Sequence, residues 1–262
     1  MNVVQITPFQ LSLAYLLLIF PAAVILWYGV GLMKPLLVGA VRMTVQLLLV
    51  GLYLQVIFNY NNPWVNLLWL GMMLIVADVS IIRRCGFRLK RFAVPMFCAL
   101  TAGIVIPLCV FVGLVLWKPN LLDARFVIPI GGMILGNCLR ANIVGIGRFY
   151  QDIRKDEKLY LQTLAFGATR EEATRPFMAD AFQAAMAPTI ATMATIGLVS
   201  LPGMMTGVIL GGANPDTAIK YQIAIMLSIL CGTAITVFLA VQLTARKSFD
   251  CYGVLQKDIF AD

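Results

Sequence analysis

Apolar runs of bilayer length follow one another along the chain, and only one polar segment between them is long. Residues 9–33, 35–58, 63–82, 92–117, 126–147, 182–210 and 219–244 each approach or exceed the ~20 apolar residues that a helix needs to cross a lipid core. The pattern predicts an all-α, polytopic membrane protein with about seven transmembrane helices. The runs are continuous rather than alternating, which argues against a β-barrel.

The long polar exception is segment 151–188. From Asp156 to Phe166, the apolar residues Leu159, Leu161, Leu164 and Phe166 mix with Lys158, Gln162 and Thr163, the pattern of an interfacial helix. Gly167 and Ala168 then form a small-residue elbow. Thr169 precedes Glu172 by three positions, a capping box that starts a second helix, and Glu171 and Glu172 put negative charge in its first turn. A short, capped, exposed hairpin of this kind suits docking of a soluble partner. A plain connection between spans fits the same residues.

Composition agrees with the periodicity. The chain has 262 residues, 61% hydrophobic and 12% charged, with a mean hydropathy of +0.89, which is the balance of an integral membrane protein. The net charge of +8 is unevenly placed. Residues 83–91 are almost wholly basic, and Lys34, Arg42, Arg148–Arg175, Arg246, Lys247 and Lys257 fall on the same side under seven spans. Lys118, Arg125 and Lys220 fall on the other. By the positive-inside rule the N-terminus lies outside and the C-terminus in the cytosol. The charge therefore reports orientation, and no basic stripe interleaved with aromatics points to nucleic acid. The six cysteines form no CxxC pair and histidine is absent, so neither a zinc ribbon nor the usual general base is present.

Inside the spans, Gly132 and Gly136 form a GxxxG face beside Met133 and Asn137. Gly203, Gly207 and Gly211 repeat that spacing. Such faces allow close helix approach in lipid. Pro202-Gly203 also reads as a helix interruption, with Ser200, Met204 and Met205 beside it. Thioethers suit soft metal ions, which makes Met204 and Met205 candidate metal contacts, although packing accounts for them equally. Asp78, Arg42 and Arg140 are ionisable residues within apolar runs, and Asp78 and Arg42 are near enough to span ends to snorkel.

At residues 41–47, 127–137, 164–169, 197–207 and 218–223 the chain closely resembles the FetB-type permeases of the UPF0014 family. The resemblance implies a bacterial inner-membrane permease, working as a homodimer with a separate ABC-type ATPase and associated with iron export. It also likens the hairpin to the coupling loop of importer-type permeases, without a literal Glu-Ala-Ala. On this reading residues 1–262 are a single transmembrane permease domain with a cytosolic coupling loop at about 148–181. Leu164, Gly167, Ala168, Thr169, Glu171 and Glu172 contact the ATPase. Gly132, Met133, Gly136, Asn137, Ser200, Pro202, Gly203, Met204 and Met205 line the pathway. No G-x-x-x-x-G-K-[ST] phosphate cradle occurs, so ATP and Mg belong to the partner, and this chain is not itself an enzyme. The alternative is a secondary transporter or channel that needs no ATPase, with Asp78 carrying protons.

Overall fold

The computed structural model describes residues 7–117, 122–212, 214–250 and 252–260. Lys118 and Cys251 lie outside these residues. Among the described residues the fold is all-helical, with isolated bridges but no strand. Helix α1 (Pro8–Ala14) runs through a 3₁₀ turn into α2 (Ile19–Trp27), followed by α3 (Met33–Tyr60), α4 (Pro63–Arg84) and α5 (Leu89–Cys109), which a π-helical turn extends to Val115. After α6 (Ala124–Lys155) come α7 (Glu157–Ala165), α8 (Arg170–Thr195), α9 (Gly203–Leu210) and α10 (Pro215–Ser248).

The chain forms two compact units, residues 1–61 with 210–212, and residues 62–209 with 213–262. In the first, the Tyr15 and Thr44 hydroxyls are hydrogen-bonded and Ile57 is the buried side chain of α3. The second holds the core, where α5 and α10 pack against α6, and α4 and α8 pack along α6.

Local chemistry sets the helix ends. Asn62, Asp123 and Asn214 accept from backbone amides at the starts of α4, α6 and α10, and Pro63 and Pro215 occupy the first helical position, where a missing N–H does no harm. α3 stops at Asn61, which takes a left-handed φ of 37°.

Among the described residues six helical stretches are long and apolar enough to cross a membrane: Pro8–Trp27, Met33–Tyr60, Pro63–Arg84, Leu89–Val115, Ala124–Lys155 and Pro215–Ser248. The expected run 182–210 is not among them. Its first half belongs to α8, which begins in the polar hairpin, and its second half is the eight-residue α9. The helix fails between them because Gly197 turns at φ +87° and Pro202 disfavours helical backbone at Leu201.

Helix contacts inside the core rest on single glycines. A Cβ on Gly232 of α10 would stand 2.6 Å from the carbonyl oxygen of Gly103 on α5. One on Gly145 of α6 would stand 2.9 Å from Val237 and 3.1 Å from Ala185. Backbone approach this close is what small residues permit where lipid removes any hydrophobic drive between helices. The expected ladders behave differently. Gly203, Gly207 and Gly136 have open space where a Cβ would be, whereas Gly132 meets a neighbour, Met73 at 3.2 Å.

Candidate functional site

At the end of the core that carries the basic 83–91 loop, α7 and α8 form the hairpin. The Thr169 hydroxyl accepts from the Glu172 amide at 3.3 Å, while the Glu172 carboxylate accepts from the Thr169 amide at 2.7 Å and from its hydroxyl at 2.8 Å. These bonds complete the capping box and hold the Glu172 carboxyl below the ordinary glutamate range. Gly167 turns the elbow at φ +91° with open space around it, so a branched residue there is strained by its backbone rather than by crowding. Phe166, Gly167, Thr169, Glu171 and Glu172 are exposed, and Ala168 is half-buried. Phe166 stands out, being 91% exposed at the tip.

The hairpin is fixed from behind. Tyr160 is fully buried, stacks edge-on with Phe177 of α8, contacts Phe249, and donates its hydroxyl to the Gly253 carbonyl at 2.6 Å. Burial pushes its phenol up to about 12. Leu164 faces the same way, with Gly253 beside it, and so belongs to the anchored side of α7 rather than its outer face.

Gly253 lies in a C-terminal strap. After α10 the chain reverses through a Phe249–Leu255 bridge, and Asp250 accepts from the amides of Tyr252 and Val254. It then reaches the 83–91 loop. The Arg88 amide donates to Ile259, Phe260 bridges to Phe87, and Arg91 pairs with Asp258 at 2.6 Å. The strap thereby ties α7, α10 and the α4–α5 loop together. Its ties to α7 and to the α4–α5 loop were not marked by sequence pattern, because they join residues more than ninety positions apart.

Beyond α8 the geometry loosens. Ser200 is exposed, Leu198 is 92% exposed, and α9 buries no residue. Met204 and Met205 line a space of about 210 Å³ with Tyr221 and Gln222 of α10. Pro202 and Met205 line a second, of about 430 Å³, with Gln222 and Ile196. Ser200, Pro202, Gly203, Met204 and Met205 therefore share a neighbourhood, to which the structure adds Tyr221 and Gln222. Among the described residues no group of three or more Cys, Asp or Glu is placed to hold a metal ion.

The other pathway candidates lie apart from these. Met133 is half-buried against the core, and its carbonyl accepts from the Asn137 amide at 2.8 Å. Asn137 also lines a cavity of about 470 Å³ with Arg84 and Arg140. Asp78 does not snorkel. It is 4% exposed on the inner face of α4, and its Oδ1 has no hydrogen-bond partner among the described residues.

This architecture is that of a multi-pass helical membrane protein. The chain belongs to the family described as "Uncharacterised protein family (UPF0014)", whose model matches residues 8–249. It is 32% identical to the "Probable iron export permease protein FetB" of Escherichia coli over 95% of both chains. It is also 32% identical to the "UPF0014 membrane protein YjkA" of Bacillus subtilis, over 88% of this chain and 91% of that one. A UPF0014 membrane protein of Synechocystis matches at 32% over 87% and 88%. No solved structure matches the chain.

Proposed function

We propose that this chain is the membrane-spanning permease of an ABC transporter, that two copies work with two copies of a separate ATPase, and that its cargo includes iron. The observation that carries the ATPase reading is Phe166, an almost fully exposed aromatic at the tip of a hairpin that is capped in front and anchored behind through Tyr160. An aromatic held out on a rigid element loses little freedom on docking and fills a partner's cleft well. The name of the Escherichia coli relative supports iron and export. The basic end of the core then faces the cytosol by the positive-inside rule, and α8 with α9 completes a seventh, interrupted crossing.

Co-expression with candidate ABC-type ATPases from the same organism tests the reading. Phe166→Ala is expected to reduce ATPase co-purification and ATP-driven iron flux in liposomes at least tenfold, with the permease still folded. Undiminished assembly would remove the hairpin from the interface. Labelling of introduced cysteines should find positions 88 and 171 on one side and 61 and 214 on the other. Labelling of 171 and 61 from the same side contradicts seven crossings.

One observation favours a second reading, a proton-coupled carrier. Asp78 is a buried carboxyl with an unpaired oxygen, the kind of group found in proton relays. Proton-driven flux in ATP-free liposomes, abolished by Asp78→Asn, would select it.

A further inference from the structure

Arg84 and Arg140 meet at one cavity, and neither the hairpin nor the α9 segment accounts for them. Arg84 ends α4, Arg140 stands near the midpoint of α6, and both line the space of about 470 Å³ between α4, α6, α8 and α10. Asn137, Thr189 and Thr192 add polar groups to an otherwise apolar wall, and no aspartate or glutamate lines it. Among the described residues neither guanidinium forms an ion pair or a side-chain hydrogen bond. One Asn137 N–H is engaged with the Met133 carbonyl and the Thr192 hydroxyl with Pro188, so the remaining donors are the two guanidinium forks, the Thr189 hydroxyl and the second Asn137 N–H.

A charged side chain at membrane depth is costly and is ordinarily paired or turned toward a polar cavity. Two guanidiniums sharing one cavity add mutual repulsion, and an oxyanion between them relieves both penalties. The planar N–H fork matches carboxylate and phosphate oxygens in pairs. A bare metal cation, by contrast, finds two positive charges and no carboxylate. Snorkelling explains Arg84, at a helix C-terminus where a cation is favoured. Arg140 stands at a similar level, three residues along α6 from Ile143, whose carbonyl accepts from Cys85 beside Arg84, and snorkelling leaves unexplained why both exposed guanidiniums line one cavity with no carboxylate in it. The volume falls within the ~300–1,000 Å³ usual for small-molecule sites.

We propose that this cavity binds an oxyanion, a carboxylate or phosphate held jointly by Arg84 and Arg140, so that the permease carries an anion or a metal ion wrapped in an oxyanion chelate. The statement about cargo rests on the permease reading, whereas the statement about binding does not.

The oxyanion has two possible sources, a dissolved solute or a lipid headgroup, and two arms separate them. The full chain is reconstituted in phosphatidylcholine nanodiscs and titrated with citrate and with inorganic phosphate by calorimetry. In parallel, native mass spectrometry counts phosphatidylglycerol retained from mixed nanodiscs. Saturable binding of citrate or phosphate is expected, weakened at least tenfold by Arg84→Gln or Arg140→Gln. Arg140→Lys, which keeps the charge but loses the fork, should weaken it less than Arg140→Gln does and guards against misfolding. Arg83→Gln, the same charge change one residue away and outside this cavity, should leave it unchanged. Arginine-dependent retention of phosphatidylglycerol without solute binding puts a headgroup in the site and removes the statement about cargo. No saturable binding in either arm, or binding indifferent to both arginines, overturns the proposal. Loss of ATPase coupling with intact anion binding would instead count against the permease reading.

Discussion

The hairpin at residues 156–169 and the break at residues 196–212 are built from the same parts and behave as opposites. Each turns on a glycine at positive φ, Gly167 at +91° and Gly197 at +87°, and each exposes a large apolar residue, Phe166 or Leu198. Behind the first stand a capping box, a buried tyrosine and the C-terminal strap. The second has one short backbone bridge, between Ile196 and Ser200, and leads into a helix with no buried residue. Apolar exposure at an anchored turn fits the docking surface proposed above, whereas the same exposure at a loosely held turn leaves the segment with few contacts to lose on repacking.

The contrast breaks or sharpens under substitution, and the largest effect is expected at the two glycines. Gly167→Val should lower ATP-driven transport and ATPase stimulation at least tenfold with expression retained, since the fixed hairpin cannot absorb the strained backbone. Gly197→Val carries similar strain but should lower transport less than threefold, because its surroundings relax. Equal losses in the paired transport assays would erase the distinction.

Tyr160→Phe comes next. It strips the Gly253 carbonyl of its buried partner and should destabilise the hairpin end by about 1–3 kcal/mol, with faster hydrogen exchange in both α7 and the strap. Exchange accelerated in α7 alone would mean that the strap does not depend on it.

Thr169→Ala should cost about 1 kcal/mol of α8 stability through loss of the cap. The pH dependence has a definite sign. Glu172 is held below its ordinary value in the folded hairpin, so its contribution is present above the unfolded glutamate range and is lost as pH falls through the folded value. Protection of the first α8 amides should therefore fall on acidification in the wild type, less steeply in Thr169→Ala, which keeps the backbone amide that Glu172 accepts from and loses only the hydroxyl, and not at all in Glu172→Gln.

The smallest effect is expected from Met204→Leu with Met205→Leu, within about 1.5 kcal/mol by thermal unfolding, because volume is conserved in a loosely packed place. A larger loss would show that α9 is held more firmly than its exposure implies.

What the sequence made legible was local. The apolar runs, the capping box and the Pro202-Gly203 interruption depend on neighbours within a few residues, and each has its structural counterpart. The length of a run did not reveal that 182–210 is broken, because Ile196–Leu201 is as apolar as a helix and only its backbone differs. Gly203 and Gly207 meet no neighbour within this chain, whereas Gly103, Gly145 and Gly232 make close approaches inside it without any ladder to mark them. Arg84 was one cation in a basic loop until the fold turned it toward Arg140. The strap and the burial of Asp78 arise from contacts between distant segments, on which periodicity is silent.

The near-contact of Gly103 and Gly232 has a mechanical meaning. α10 is pinned to α5 there, with the strap and hairpin attached below the pin and Tyr221 and Gln222, which face α9, above it. A stiff rod clamped at two neighbouring points, here and at Val237 against Gly145, can neither slide nor pivot freely, so a push on the strapped end of α10 is carried along its length toward Tyr221 and Gln222, beside the loosely packed α9.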